Sequence, residues 1–177
     1  MDSWASGESA APSYRCLLQT EDYARALHRA KQRRTDDEIE QMVAVRTARQ
    51  ALLTQAEAPQ FWTVINEAVI RRVVGGPEIM SAQLARLVEA TKLPNVTLQV
   101  LPFTAGAHAA MGGGFHALSF PPPAGAVVYI EYQTGSLYLE KSPEIDSYMV
   151  AFDHLRASAL PAEASRAFIA QVAKEIK

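Results

Sequence analysis

Cysteine is almost missing from this chain, which has a single one, Cys16, among its 177 residues. One thiol cannot form an internal disulfide or a cysteine-rich metal site. Because disulfides mark oxidising compartments, their exclusion favours a cytoplasmic protein. Long apolar runs are missing too, since none approaches the ~20 residues that span a bilayer. Residues 1–13 are small and polar, without the basic and apolar regions of a signal peptide, and we expect them to form a flexible arm.

A dominant charge is also lacking. The 17 lysines and arginines and the 19 aspartates and glutamates give a formal net charge of −2, and the two signs are interspersed. A nucleic-acid partner would need a clustered basic face, so we expect no direct contact with nucleic acid. Hydrophobic residues make up 49% of the chain, which is enough for one domain with a sizeable core. Residues 14–177 are therefore expected to form a single domain.

Local signals predict where the first helices and the first strand of this domain begin. Thr20 precedes a helical pattern and can cap it, with acidic residues beside it at the positive end of the helix dipole. Thr35 and Glu38 have the spacing of a capping box ahead of a second helix. Residues 61–66 are rich in aromatic and β-branched types and predict a strand. Pro77 then suits the first turn of a third helix.

The second half of the chain is predicted to be rich in strands. Residues 96–101 and 115–120 alternate between the two faces of an extended chain. Residues 126–132 and 136–140 flank a short turn that is typical of a hairpin, and two helices follow. We expect an α+β fold, in which a mostly antiparallel sheet of about five strands is flanked by N-terminal, central and C-terminal helices.

Several strings match one family pattern, in the same order, along nearly the whole chain. They resemble the C-terminal domain of Xre-type helix-turn-helix regulators, which are abundant in filamentous actinobacteria. The strings are LLQTEDYARAL (17–27), VAVRTARQALL (43–53), VINEAVIRR (64–72), GGPEIMSAQLARLVE (75–89), LPNVTLQVLPFTAGAHAAMGGGFHALSF (93–120), VYIE (128–131), LYLEK (137–141) and FDHLRASALPAEAS (152–165). The molecular function of that domain is largely uncharacterised, and the resemblance implies a module that senses a ligand or binds a partner.

The chain departs from the family pattern at several positions. Arg15 and Cys16 stand where the family has a Pro-Gly pair, and Asn66 stands where it usually has an acidic residue. The DNA-reading half is expected to be missing, because residues 1–13 are too few to hold a helix-turn-helix. The domain has then either kept its sensing or partner-binding role or been recruited to another task.

The loop over residues 102–114 joins two predicted strands and contains three consecutive glycines. Such a loop can fold over a ligand, or the glycines can simply provide turn geometry. Within and just after the loop, His108 and His116 are candidates for acid–base chemistry, since imidazole titrates near neutrality. They lack metal-ligand spacing, so we expect no metal site, and no sequence motif indicates a cofactor.

Two carboxylates are further candidates. Glu67 and Arg71 are spaced to pair along a helix, although Arg71 can alternatively position the carboxylate at a pocket edge. Glu131 shares a strand face with Tyr129, where it is either solvated or held in a pocket with a raised pKa. The catalytic candidates are therefore His108, His116, Glu131 and Glu67.

Aromatic, thiol and basic side chains admit both a structural and a binding interpretation. Cys16 is either a small buried hydrophobe or a thiol activated by the following helix. Arg46 and Arg49 belong to a basic stripe that is either solvated or a partner-binding face. The residues expected to contact a ligand are Cys16, Trp62, Arg71, Phe103, His108, Met111, Phe115, Tyr129 and Glu131.

Three functions are compatible with these features. The first is a stand-alone sensing or regulatory module that binds a small molecule or a protein partner. The second is a cofactor-independent cyclase or isomerase of bacterial secondary metabolism, which shapes its substrate in an apolar pocket and leaves almost no sequence motif. The third is a truncated regulator that titrates its full-length relatives. A homodimer is left open, and no membrane association is expected.

Overall fold

The computed structural model describes residues 3–7, 15–30, 34–123, 125–132 and 134–176, with the backbone alone for residues 3–7, 15 and 16. Within these residues the strands are β1 (Ser3–Gly7), β2 (Gln60–Asn66), β3 (Val96–Leu101), β4 (Phe115–Ser119), β5 (Ala126–Tyr132) and β6 (Gly135–Leu139). The helices are α1 (Glu21–Arg29), α2 (Asp36–Gln50), α3 (Glu67–Arg71), α4 (Pro77–Ala90), α5 (Ser142–Ser158) and α6 (Ala162–Glu175). In the ranges described, no helix combines the length and the apolar character needed to cross a membrane.

The α+β class is confirmed, but the expectation of one mostly antiparallel sheet is wrong in its arrangement. β2 and β3 form a parallel pair, whereas β4, β5 and β6 form an antiparallel unit. These two units meet only through β1, which is parallel to β2 and antiparallel to β4 and gives the order β3-β2-β1-β4-β5-β6. β2 and β3 are parallel because α4 returns the chain to the starting end of the sheet between them.

The strand β1 lies inside the segment that was expected to be a flexible arm. Its sequence, SWASG, contains no β-branched residue, and its one strand-favouring residue, Trp4, stands among small residues, so strand propensity does not reveal it. Backbone hydrogen bonds to β2 on one side and β4 on the other define it instead. Of the expected arm, residues 3–7 are therefore a strand at the centre of the sheet.

The local signals for helix starts are confirmed. The Thr20 side chain accepts a hydrogen bond from the backbone N–H of Tyr23, at the start of α1. Thr35 and Glu38 form the complete capping box of α2. The segment after β2 is the short helix α3, whose cap is the Asn66 side chain, which accepts from the N–H of Ala68.

Helices cover the sheet on both faces. On one face, α5 packs against the middle of the sheet through Phe152 and Leu155. On the other face, α4 and α6 pack against β2 and β3 and enclose the larger part of the core. The largest fully buried side chains are Phe115, Leu18, Leu53, Ile65, Ile70, Met80, Leu84, Leu87, Leu98, Leu101, Leu155 and Ile169.

The outer edge of the sheet at β3 is closed by the segment that leads into α6. The backbone N–H of Val100 donates to the Ser165 hydroxyl at 2.9 Å, and the Val100 carbonyl accepts from the N–H of Leu160 at 2.9 Å. The Ser165 hydroxyl in turn donates to the Leu160 carbonyl at 3.1 Å. Because Ser165 is fully buried, water cannot replace these bonds.

Ser165→Ala should therefore lower the free energy of unfolding by about 1–3 kcal/mol, since it leaves the buried Val100 N–H unsatisfied. Ser147→Ala is the matched control, because the Ser147 hydroxyl also donates to a backbone carbonyl, that of Pro143, but is exposed. We expect the control to change stability by less than about 0.5 kcal/mol. Urea unfolding measures both, and equal stabilities for the two variants would contradict this role of Ser165.

Candidate functional site

A buried side-chain amide holds the chain that leads into α1. Gln83, on α4, accepts from the backbone N–H of Thr20 at 2.7 Å and donates to the carbonyl of Leu18 at 3.0 Å. Gln83 is only 3% exposed, so both ends of its amide are satisfied by backbone rather than by water. The segment before α1 is thereby anchored to α4.

The helix α2 is attached to this anchored segment through Gln19. The Gln50 side chain donates to the Gln19 carbonyl at 2.6 Å, and Arg46 donates to the Gln19 side-chain oxygen at 2.6 Å. Ile39 and Val43 are buried against Ala24 of α1 and fix the rotation of the helix. These contacts fix which faces of α2 point away from the core.

One of those faces lines an open groove of about 630 Å³ between α2 and β5, which we call the arginine groove. Met42, Val45, Arg46 and Arg49 recur at the three- and four-residue spacing that places side chains on one side of a helix. From the sheet, Glu131 of β5 also lines the groove. The lining residues are His28, Arg34, Glu38, Gln41, Met42, Val45, Arg46, Arg49 and Glu131.

Positive charge predominates in the arginine groove. Three guanidinium groups line it against two carboxylates, and one of these, Glu38, is already engaged. The backbone N–H and hydroxyl of Thr35 donate to Glu38 and hold the pKa of its carboxyl below its usual range. Among the residues that the structure describes, Arg49 makes no hydrogen bond or ion pair. The exposed guanidinium of Arg49 is thus available to an anion.

An aromatic ladder borders the groove beside Glu131. Its rings are His116, Tyr129 and Tyr138, with centroids 5.8 Å apart for the first pair and 5.1 Å for the second. Tyr138 is 61% exposed, although its ring is held against Tyr129. Burial, together with the nearby Glu131 carboxylate, raises the pKa of Tyr129, and the positive charge of Arg49 opposes this shift. The ladder and the arginines are therefore within electrostatic reach of each other.

His116 forms the inner end of the ladder. Its Nε2 atom is enclosed by protein, and burial lowers the pKa of His116 to about 3. The ring is consequently neutral at physiological pH, where it can take part in hydrogen bonds. A base with so low a pKa is poorly matched to proton transfer near neutrality.

Glu67 and Arg71 lie away from the groove and form the i, i+4 ion pair that their spacing predicts. Arg71 Nε donates to the buried Glu67 carboxylate at 2.6 Å, and a second Arg71 nitrogen donates to Glu175 of α6 at 3.1 Å. The other Glu67 oxygen accepts from the backbone N–H of Phe103 at 2.8 Å. Glu67 therefore ties α3 to the start of the loop after β3.

The glycine-containing loop over residues 102–114 leaves its larger side chains in solvent. Phe103 is 57% exposed and Met111 is 67% exposed. His108 is half-buried, and its Nδ1 accepts from the backbone N–H of Ala110 at 3.3 Å. A small cavity of about 180 Å³, the loop pocket, is lined by Ala109, Gly112, Gly113, Gly114, Phe115, Ile130 and Tyr148.

Trp62 and Phe115 lie on the face of the sheet that α5 covers. Trp62 donates to the Gln99 side chain at 2.7 Å, and the Arg156 guanidinium lies 4.5 Å from the centroid of its ring. Phe115 is buried, with its ring 4.8 Å from that of Tyr148. These contacts make both aromatic rings part of the packing between the sheet and α5.

The expected ligand-binding residues are thus brought together only in part. Glu131 lines the arginine groove, and Tyr129 and His116 belong to the aromatic ladder beside it, while the remaining candidates are distributed over the other regions described above. Cys16 falls outside the described side chains. The main residue that the sequence did not point to is Arg34, whose Nη1 lies 3.4 Å from Nδ1 of His28. In the described part of the chain, no three His, Cys, Asp or Glu side chains converge as a metal site.

Glu67→Ala should lower the free energy of unfolding by about 1–3 kcal/mol, because the Phe103 N–H loses its acceptor. It should also speed hydrogen exchange at the Phe103 amide. Glu175→Ala is the control, since it removes the more exposed carboxylate partner of Arg71 and should change stability by less than about 0.5 kcal/mol. Calorimetry and amide exchange measure the two effects; unchanged exchange at Phe103 in Glu67→Ala would exclude the proposed tie.

The low pKa of His116 predicts a loss of stability in acid. In the unfolded chain His116 is protonated below its usual pKa of 6.5, whereas in the folded chain its ring stays neutral down to a pH of about 3, which is its lowered pKa. Stability should therefore fall as pH decreases through that window, by roughly 2 kcal/mol between about pH 7.5 and pH 5 from this one group. Over the same pH interval the His116→Gln variant should lose roughly 2 kcal/mol less stability than the parent chain, because it lacks this titrating group.

His154→Gln is the matched control for this measurement, because His154 is an exposed histidine on α5. Urea unfolding at the two pH values compares the variants with the parent chain. If His116→Gln and the parent chain have the same pH dependence, the desolvation of His116 is not a source of acid sensitivity.

Comparison with known proteins identifies a family alone. No curated protein and no solved structure gave a significant match to the chain. The family model described as "Domain of unknown function (DUF5753)" matches residues 14–171, which is most of the sequence. The chain therefore belongs to the DUF5753 family.

Proposed function

We propose that this domain is a sensing module that binds an anionic small molecule in the arginine groove. The observation that carries the proposal is the exposed Arg49 guanidinium, which faces a groove with two further arginines and makes no ion pair to a described residue. Guanidinium groups present several N–H donors in a planar fork that matches carboxylate or phosphate oxygens. An anion bound there would therefore gain charge-assisted hydrogen bonds.

The dimensions of the groove support a small-molecule ligand. Its volume of about 630 Å³ lies within the ~300–1,000 Å³ of typical ligand sites. The resemblance to the C-terminal domain of Xre-type regulators supports a sensing role, in which ligand binding would be passed on to a partner. Two of the catalytic candidates, His116 and Glu131, lie at or beside the aromatic ladder, but the pKa of His116, lowered to about 3 by burial, is poorly matched to proton transfer near neutrality. Glu67 and His108 lie away from them, so the described residues support the enzyme alternative less well than the sensing module.

The groove also has a feature that limits which anions fit. Glu131 lines the groove from β5, whereas Arg46 and Arg49 line it from α2, and Glu131 is not neutralised by an ion pair with a described residue. Its carboxylate would repel a second negative charge and would accept hydrogen bonds from an N–H or O–H of the ligand. The preferred ligand thus carries its negative charge at the end that faces α2.

Binding of a simple anion tests this function. Butyrate should shift the NMR resonances of the α2 amides and the Arg49 Nε–Hε group, whereas butyramide, its uncharged analogue, should not. Arg49→Gln should weaken butyrate binding about 10-fold or more, since hydrogen bonds to charged groups contribute roughly 1.5–3 kcal/mol. Titration of the ¹⁵N-labelled protein gives the dissociation constants.

Arg72→Gln is the control, because Arg72 is an exposed arginine that follows α3, away from the groove. It should leave butyrate binding unchanged. Equal binding of butyrate and butyramide, or equal weakening by both substitutions, would overturn the proposed function.

A further inference from the structure

We propose that the ligand of the arginine groove is a flat aromatic monoanion, with its anionic group on Arg49 and its ring stacked on Tyr138. This inference rests on the proposed function and specifies the ligand class. It joins two features that β5 connects, the Arg49 guanidinium, which lines the groove with Glu131, and the exposed Tyr138 ring of β6, which contacts Tyr129.

Tyr138 is a pre-ordered stacking surface. Its ring lies 5.1 Å from that of Tyr129 at an interplanar angle of 54°, so one side of the ring is supported by protein. With 61% of the residue exposed, another side remains open to solvent. Aromatic rings are large apolar surfaces, and one that is held in place but uncovered offers contact area without the entropic cost of ordering it.

The register of the hairpin places this surface next to the groove. Tyr129 pairs with Tyr138, and Glu131 pairs with Ser136, so Glu131 is two residues along the same face from Tyr129. Glu131 lines the groove, and the charge of Arg49 acts on Tyr129. A ligand whose acidic group contacts Arg49 can therefore extend its body over the ladder.

The two contacts select for one class of compound. The arginine requires a negative charge at one end of the ligand, and Glu131 disfavours a second one beside the ladder. A ring–ring contact with good offset or edge geometry raises affinity by roughly 2- to 10-fold. An uncharged aromatic ring with a single carboxylate, sulfonate or phosphodiester group satisfies both requirements.

A matched pair of fluorescent probes tests the inference. 1-Anilinonaphthalene-8-sulfonate has a flat aromatic system with one sulfonate, and N-phenyl-1-naphthylamine is the same ring system without it. The sulfonate probe should bind at least 5-fold more tightly than the neutral one. Tyr138→Ala should weaken the sulfonate probe about 5-fold, whereas Tyr138→Phe, which keeps the ring, should retain affinity.

Tyr132→Ala is the control on the same hairpin. Tyr132 is similarly exposed, at 57%, but its position in the strand puts it on the opposite face from Tyr129. It should leave the affinity of the sulfonate probe unchanged. The urea midpoint of each variant establishes that the comparison is made between folded proteins.

The outcomes separate this inference from the function on which it rests. If Arg49→Gln weakens the binding of both butyrate and the sulfonate probe while Tyr138→Ala changes neither, the anion site stands and the stacking surface is overturned. If Tyr138→Ala and Arg49→Gln both leave binding of the sulfonate probe unchanged, that probe binds elsewhere, for instance in the loop pocket, and the inference fails. If Arg49→Gln also leaves butyrate binding unchanged, the proposed function fails with it.

Discussion

The bond pair made by the Gln83 amide is the constraint on which the candidate site depends. One side chain of α4 bonds both a carbonyl and an N–H of the segment before α1, much as a neighbouring strand would. That segment then presents Gln19, to which α2 is attached by two hydrogen bonds. Because these groups are part-buried or buried, the position of α2 relative to the sheet is fixed by polar contacts that water does not readily replace.

The excess of positive charge in the groove arises because the structural contacts engage some of its charged side chains and not others. Arg46 is used to hold Gln19, and Glu38 is used to cap its own helix. Arg49 lies one turn further along the same stripe and has no structural hydrogen bond within the described residues. An exposed arginine at the edge of a groove has little effect on the stability of the fold and can bind an anion. The candidate site is therefore centred on Arg49 rather than on the predicted histidines.

Features that depend on nearby residues were predictable from the sequence. The Thr35–Glu38 capping box and the Glu67–Arg71 pair each depend on residues three or four positions apart, and both form. The separation of the strands into a parallel pair and an antiparallel unit depends on β1, whose small residues carry no strand signal. The arrangement of the strands in the sheet could therefore not be predicted from local sequence patterns.

The candidate site shows the same division. The spacing of Arg46 and Arg49 is visible in the sequence as a basic stripe, but nothing local distinguishes a solvated stripe from a binding wall. Glu131 lies more than eighty positions after Arg49, on a different element, and only the fold brings it to the same groove. The composition of the loop with three glycines indicated a ligand-binding segment, but its exposed Phe103 and Met111 do not line that groove.

Native mass spectrometry of the protein purified from the organism that encodes it tests ligand binding in the arginine groove, because it reports any bound mass without a choice of probe. The parent chain should retain a small acidic molecule, and Arg49→Glu, a charge reversal in the groove, should not. Retention of the same molecule by Arg49→Glu, or a co-purified protein with no small molecule bound, would exclude an anionic ligand in this groove.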